Sequence, residues 1–147
     1  MFVVDTNILV YAANPRAPHS DECLALLESW TRQSAAWCLT WGICYEFMRV
    51  VTHANVFRSP WSAAQALQFL EELQLSPGFY ILTATERHAA ALAQTISEMP
   101  ELSGNRMHDL HTAVLMREHG IRVIYTRDKG FQRFPFLEPV DPIGPRP

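Results

Sequence analysis

The sequence predicts an α/β protein: one domain with a central parallel β-sheet and helices on both of its faces. Short, almost wholly apolar runs such as Phe2-Val3-Val4 and Val123-Ile124-Tyr125 alternate with longer stretches of helical periodicity. Strands that are apolar on both sides belong to covered sheets, and strand–helix alternation is typical of parallel ones. With 147 residues and 48% apolar composition, the chain has the length and hydrophobic content of one globular domain.

The order of the elements follows from where these patterns begin and end. Apolar runs place five strands, at residues 2–5, 36–39, 79–82, 122–125 and 137–140. Helical patterns place six helices between them, at residues 9–13, 21–32, 41–53, 63–74, 85–99 and 106–120. A loop that carries Asp128 separates the last two strands. Residues 1–140 are therefore predicted to form the domain, and the Pro-rich residues 141–147 an extended tail.

Polar side chains that favour helix N-termini mark the starts of four helices. The expected caps are Ser20 or Asp21, Thr40, Ser62 and Asn105. The fourth helix, after Ser62, carries more apolar residues than one core-facing stripe requires. Part of its surface is therefore expected to meet a partner protein or a second copy of the chain, and a fully buried helix is the alternative.

Charge and cysteine content narrow the class of protein only a little. The net charge is −3, and four acids set aside as metal ligands would leave +1, so charge neither favours nor excludes nucleic acid. The odd cysteine count and the lack of metal-ligand spacing indicate small buried side chains in a reducing compartment. No apolar run approaches the roughly 20 residues that span a bilayer, so a cytoplasmic protein is expected.

Four acids occupy positions where a core would normally have other residues: Asp5, Glu46, Asp109 and Asp128. Asp5 and Asp128 follow the carboxyl ends of two strands. The helix of Glu46 starts where the second strand ends, and the helix of Asp109 runs antiparallel to the strand that follows it. All four therefore point to one rim of the sheet, which is where open α/β sheets bind ligands.

Clustered carboxylates repel one another unless a cation compensates them. Hard oxygen ligands of this kind suit Mg²⁺ or Mn²⁺, with positions left open for water and a phosphate. Each acid also has a local alternative: Asp5 as a helix cap, Glu46 as a partner of Arg49, Asp109 as a first-turn acid and Asp128 as a turn residue.

Four segments together resemble the motifs of PIN-domain nucleases, and most closely those of VapC-type toxins of bacterial toxin–antitoxin pairs. The segments are Val4-Asp5-Thr6-Asn7-Ile8-Leu9, Cys44-Tyr45-Glu46-Phe47-Met48-Arg49-Val50, residues 104–113 around Asp109, and Thr126-Arg127-Asp128-Lys129-Gly130-Phe131. The resemblance extends from Met1 to about Val140. It implies a PIN-like domain whose catalytic metal ligands are the four acids, with Asn7 and Thr126 orienting them. Gly130 stands where many relatives carry a further acid, which leaves the number of metal ions open.

The resemblance further implies a Mg²⁺-dependent endoribonuclease, with Mn²⁺ as a substitute metal, that acts as a toxin. Its expected partners are RNA, a VapB-type antitoxin and a second copy of the chain within a larger toxin–antitoxin complex. Candidate RNA contacts are the basic residues near the motifs, namely Arg49, Arg106, Arg127 and Lys129. His108 and His111 flank Asp109, but imidazoles mixed into an acid cluster would change its metal preference, so solvent or RNA contacts are expected of them.

Two other functions remain open on the sequence. One is a PIN-like module that binds RNA or protein without cutting, although the presence of all four acids argues against it. The other is a Mg²⁺-dependent phosphoryl-transfer enzyme with an Asp nucleophile. Such enzymes usually carry a second Asp two residues after the first, and Asn7 occupies that place here.

Overall fold

The computed structural model of the chain describes residues 1–144, and residues 145–147 of the predicted tail lie outside the described residues. Within residues 1–144 the chain forms five strands and six α-helices. The strands are β1 Phe2–Val4, β2 Trp37–Thr40, β3 Phe79–Leu82, β4 Val123–Tyr125 and β5 Glu138–Val140. The helices are α1 Thr6–Ala13, α2 Ser20–Arg32, α3 Trp41–Val51, α4 Ala63–Gln74, α5 His88–Glu98 and α6 Arg106–Glu118. A 3-10 helix, Lys129–Arg133, follows β4.

The five strands form one parallel sheet in the order β3-β2-β1-β4-β5, which confirms the predicted α/β fold. β1 lies at the centre, with Phe2 opposite Trp37 of β2 and Val3 opposite Ile124 of β4. Val3 and Ile124 are fully buried, as the apolar runs predict for a sheet covered on both faces.

The chain winds outward from β1 to β3 and then crosses back to β4 on the other side of β1. Because parallel crossovers are right-handed, this reversal places α1 to α4 on one face of the sheet and α5 and α6 on the other. The crossover that leaves β1 and the one that enters β4 lie on opposite faces of the sheet. The carboxyl ends of β1 and β4 therefore flank the crevice where such sheets bind ligands.

The helix starts agree with the predicted caps in part. Thr40 accepts a hydrogen bond from the amide of Ile43, and Ser62 forms a reciprocal capping box with Gln65, as expected. Capping of α2 by Ser20 or Asp21 is wrong: His19 precedes the helix in a left-handed conformation, and Ser20 is its first, buried residue. Asn105 does precede α6, but its side chain makes no capping bond.

Two segments of the chain differ from their predicted form. α5 starts at His88 rather than at residue 85, because the hydroxyl and amide of Thr85 donate to the Glu118 carboxylate at 2.7 and 3.0 Å. The segment after Asp128 forms the 3-10 helix where only a loop is expected. The other boundaries either agree with the prediction or shift by at most three residues.

The core contains most of the predicted apolar positions. Trp30 packs with Phe2 and Tyr125 at ring-centroid distances of 5.2 and 4.9 Å, and Trp37 packs with Phe79 at 5.0 Å. The three cysteines are free and buried, as predicted, and burial raises the pKa of each thiol to about 11. Over residues 1–144, none of the helices has the length and apolar character that a membrane crossing needs.

The apolar side of α4 turns mostly inward. Ala66, Leu70 and Leu73 are buried, and Phe69 stacks on Phe47 at 5.1 Å, while Leu67 stays exposed. The helix therefore offers a partner much less apolar surface than its composition suggests.

Candidate functional site

The four acids that the sequence indicates as candidate metal ligands line one cavity. Asp5, Glu46, Asp109 and Asp128 all border a space of about 300 Å³ at the carboxyl end of the sheet. They come from the end of β1, from α3, from the first turn of α6 and from the segment after β4. The convergence predicted from strand ends and helix direction is present in the structure.

Asp5 is the buried centre of this group. One carboxylate oxygen accepts a hydrogen bond from the amide of Thr6 at 2.7 Å, so Asp5 also caps α1. The other oxygen accepts from the Asn7 amide nitrogen at 2.5 Å and from the Thr126 hydroxyl at 2.5 Å. Asp5 thus has both its local role as a cap and a place in the shared cavity.

Asn7 and Thr126 tie the two central strand ends together. The Asn7 side-chain oxygen accepts from the amide of Arg127 at 3.1 Å, and its nitrogen donates to the Thr126 hydroxyl oxygen at 3.0 Å. That hydroxyl oxygen also accepts from the amide of Asp128 at 2.9 Å. Both residues therefore fix Asp5 relative to the backbone that carries Asp128.

Glu46 is held from two sides. The Thr6 hydroxyl donates to one carboxylate oxygen at 3.3 Å, and a guanidinium nitrogen of Arg49 lies 3.6 Å from the other. The ion pair with Arg49 is exposed, so it adds little stability. The sequence alone did not indicate a role for Thr6. Its position one residue after Asp5 is nevertheless compatible with its hydrogen bond to Glu46.

Gly130 leaves space between Asp109 and Asp128. A Cβ atom on Gly130 would lie 3.1 Å from an Asp109 carboxylate oxygen and 3.0 Å from one of Asp128. Two carboxylates thus reach the same small volume from different elements. The amide of Gly130 donates to Asp128 at 2.7 Å, which fixes that side chain while leaving it exposed.

The electrostatics of the cavity disfavour ionised carboxylates. Burial above all, together with the charges of Asp109 and Glu46, raises the pKa of Asp5 to about 7, against the hydrogen bonds from Thr126 and Thr6 that lower it. Burial, followed by the charges of Asp128 and Glu46, raises the pKa of Asp109 to about 6. A bound cation would reverse this cost.

The donor set fits a hard divalent cation. It consists of four carboxylates around one cavity, two of which have raised pKa values because of burial and of the neighbouring acids. Across residues 1–144, no three His, Cys, Asp or Glu side chains already stand close enough together to hold an ion. The four carboxylates would therefore have to draw together to coordinate a cation.

A second, larger cavity of about 1010 Å³ is lined by three of the four acids, namely Glu46, Asp109 and Asp128. Three of the four predicted RNA contacts line it, namely Arg49, Arg106 and Lys129. Arg127 is absent from its lining: the guanidinium lies 3.4 Å from the Asp141 carboxylate and 5.8 Å from the centroid of the Tyr11 ring. Sequence reasoning gave no role to another lining residue, Tyr45, whose exposure depends on the packing of α3.

Comparison with known proteins agrees with this fold and this arrangement of acids. Residues 2–137 match the PIN domain family. The chain is 32% identical over 134 residues to ribonuclease VapC43 of Mycobacterium tuberculosis, covering 91% of this chain and 90% of the relative. It is 26% identical to ribonuclease VapC48 of the same organism, covering 95% and 96%.

Among solved structures, the VapBC2 complex of Rickettsia felis bound to a promoter DNA fragment is similar, with a TM-score of 0.66 at 19% identity and coverage of 95% and 96%. The fold and the sequence together define the class. The chain belongs to the PIN-domain family and, within it, to the VapC ribonuclease toxins of toxin–antitoxin systems.

The contacts of Thr126 generate a first prediction. Thr126→Val keeps the shape of the side chain but removes one donor to Asp5 and one acceptor for Asn7 and Asp128. We expect the free energy of unfolding in urea to fall by about 2 kcal/mol. Thr126→Ser, which keeps the hydroxyl, should lose less than half of that. A Val variant as stable as the Ser variant would show that these hydrogen bonds do not hold the site.

The raised pKa of Asp109 generates a second prediction. Its folded-state pKa of about 6 lies above the ordinary 3.8, so its stabilising contribution is present below pH 4 and lost as the pH rises through 6. Without metal, Asp109→Asn should therefore be more stable than wild type at pH 8, by roughly 1 kcal/mol after allowance for solvent access, and not at pH 4. Thermal melts across this range test it. The exposed Asp21→Asn serves as control, and equal pH dependence of all three proteins would contradict the account.

Proposed function

We propose that this VapC-family chain is a Mg²⁺-dependent endoribonuclease that hydrolyses phosphodiester bonds of RNA and acts as the toxin of a toxin–antitoxin pair. The observation that carries the proposal is the convergence of four carboxylates on one cavity, three of which also line a larger cavity with basic side chains. The relatives VapC43 and VapC48 are both ribonucleases by name, which supports the reaction class.

One group of residues in this chain would bind the metal ion, and another would bind the substrate. Asp5, Glu46, Asp109 and Asp128 would hold Mg²⁺, or Mn²⁺ in its place. A metal ion there would supply Lewis-acid activation of water and charge neutralisation at the phosphate. Asn7 and Thr126 keep the Asp5 carboxylate oriented towards the cavity through their hydrogen bonds.

Basic residues of the larger cavity would hold the phosphates that flank the one being cut. Arg106, Lys129 and Arg133 line this cavity from α6 and from the 3-10 helix. Their positive charges lie beside the negative charges of Asp109 and Asp128, which line the same cavity. A polyanion can therefore bind beside an acidic centre, provided that a metal ion neutralises that centre.

An Asp-nucleophile enzyme finds less support in the contacts. The place of its second acid is taken by Asn7, whose side-chain nitrogen and oxygen are both engaged, with Asp5 and with the Arg127 amide. Asn7 therefore positions Asp5 and has no free group to transfer a proton. A module that only binds RNA would need no carboxylates whose burial and mutual repulsion raise their pKa values.

The proposed protein partner is a VapB-type antitoxin. The similar Rickettsia felis structure is a complex of this kind, named VapBC2. In this chain, the cavity of about 300 Å³ is bordered by apolar surface of Val10, Tyr11 and Val50, from α1 and α3, and leads to the four acids. An antitoxin segment could lay apolar side chains there and direct an Arg or Lys at the carboxylates. We also propose a homodimer within the larger complex.

Catalysis generates the third prediction. With Mg²⁺ or Mn²⁺, the purified chain should cleave RNA, and EDTA should stop cleavage until Mg²⁺ is restored. Ca²⁺ should support it poorly, because its coordination is larger and looser. Asp5→Asn and Glu46→Gln should each lower the rate by more than the 10- to 100-fold that loss of a residue supporting a ligand typically costs.

Matched controls separate this effect from a general loss of charge. Asp21→Asn and Glu71→Gln make the same chemical changes at exposed positions of α2 and α4. Both should cleave at the wild-type rate. Cleavage that survives exhaustive chelation, or that persists in rigorously purified Asp5→Asn protein, would refute the metal-dependent mechanism.

Toxicity generates the fourth prediction. Expression of the chain without an antitoxin should arrest bacterial growth, and expression of Asp5→Asn at the same level should not. Co-expression of a VapB-type antitoxin should restore growth with the wild-type chain. If the wild type is harmless at high soluble yield and is active when purified alone, the toxin proposal fails while the nuclease proposal stands.

A further inference from the structure

Two large aromatic side chains stand exposed on the helix that carries Glu46. Trp41 and Tyr45 lie one turn apart on α3 and are 48% and 71% exposed. Their ring centroids are 6.4 Å apart and their planes are tilted by 49°, so neither ring covers the face of the other. Exposed apolar side chains that cluster in this way mark interaction surfaces.

The aromatic pair adjoins the acidic centre. Tyr45 immediately precedes Glu46 and lines the same cavity of about 1010 Å³ as Asp109 and Asp128. Trp41 opens α3 directly after β2, at the carboxyl edge of the sheet where the acids converge. An extended ligand whose reacting group lies at the acids would therefore meet the Tyr45 ring within the same cavity.

The rest of the cavity wall indicates the chemistry of that ligand. Arg106, Lys129 and Arg133 face it from α6 and from the 3-10 helix, while Tyr45 faces it from α3. The cavity thus offers cations from α6 and the 3-10 helix, and from α3 it offers an aromatic face with the cation of Arg49 one helical turn further along. Phosphates alternating with planar bases present the complementary pattern, and aromatic platforms beside basic grooves are how proteins hold single strands.

We propose that Tyr45, with Trp41 beside it, stacks an unpaired base next to the phosphate being cut and so positions the RNA strand in the cavity. This inference rests on the proposed nuclease function. In a duplex, the faces of the bases are already covered by their neighbours, and no face is left for Tyr45. Tyr45 is therefore a positioning residue for the substrate.

A second copy of the chain or another protein could also cover two exposed aromatics. The cations favour RNA, because a protein partner at this site would gain from Arg106, Lys129 and Arg133 only by presenting acids beside Asp109 and Asp128. Those acids would add to the repulsion already present there. A polynucleotide brings its metal-binding phosphate to the same place.

The test is a cycle that changes the protein and the RNA together. Fluorescence anisotropy would measure binding of a labelled short oligoadenylate, and of an abasic ribose-phosphate chain of equal length, with all four acids present and with Ca²⁺ in place of Mg²⁺ to suppress cleavage. Tyr45→Ala should weaken binding of oligoadenylate about tenfold and of the abasic chain less than about twofold. Tyr45→Phe, which keeps the ring, should bind both as Tyr45 does.

Tyr80→Ala serves as the control, because Tyr80 is 53% exposed on the edge strand β3. It should leave both affinities unchanged, and an oligoadenylate–oligouridylate duplex should bind without regard to Tyr45. The proposal is overturned if oligoadenylate shows no saturable binding, or if Tyr45→Ala affects the base-bearing and abasic chains equally. It is also overturned if Trp41→Ala and Tyr45→Ala convert a dimer to monomers at unchanged affinity for RNA.

Cleavage by the otherwise unmodified chain separates this inference from the function on which it rests. Tyr45→Ala that binds and cleaves single-stranded RNA as wild type does would refute base stacking and leave the nuclease intact. The reverse result, binding that depends on Tyr45 without any metal-dependent cleavage by wild type, would refute the nuclease and leave stacking in place.

Discussion

The structure of the site depends on one constraint: carboxylates must be held together at the point where the winding of the sheet reverses. Asp5 leaves β1 at that point, and Thr126 follows β4 beside it, with a hydroxyl-to-carboxylate distance of 2.5 Å. Asn7 joins the same network. Burial makes the charge on Asp5 costly, and a neutral hydroxyl and amide reduce that cost without a cation from the protein. The protein therefore leaves the positive charge to be supplied by a ligand.

Local and shared roles coexist in the same side chains. Asp5 caps α1, Glu46 pairs with Arg49, and Asp128 accepts from the Gly130 amide ahead of the 3-10 helix. Each of these contacts was an ordinary alternative to a functional role, and each is present. These contacts engage both oxygens of Asp5 and of Glu46 but do not use every lone pair that the carboxylates carry. Local bonds thus fix the orientation of groups whose remaining lone pairs are available to a metal.

The sequence predicted the fold and the convergence of the acids because both depend on local patterns: apolar runs end at Asp5 and before Asp128, and helix direction places Asp109 at the same rim. Features that depend on tertiary contacts were not predictable. Thr85 is drawn to the buried carboxylate of Glu118, which also accepts from His88 at 2.7 Å, and α5 starts later as a result. Arg127 is held by Asp141 across the last strand, away from the larger cavity. The exposure of Tyr45 likewise follows from which side of α3 packs on the core, and composition alone does not reveal it.

The central claim is that these four carboxylates share a metal ion, and direct observation of that ion tests it best. A crystal of the wild-type chain grown with Mn²⁺ would be measured for anomalous scattering, since Mn²⁺ occupies the same oxygen-rich sites as Mg²⁺ and scatters anomalously where Mg²⁺ does not. The account predicts a peak inside the cavity bordered by Asp5, Glu46, Asp109 and Asp128, with carboxylate oxygens at about 2.0–2.3 Å. The account is contradicted if Mn²⁺ fully occupies other sites in the crystal and none is bound in this cavity. It is also contradicted if the peak persists unchanged in Asp5→Asn crystals.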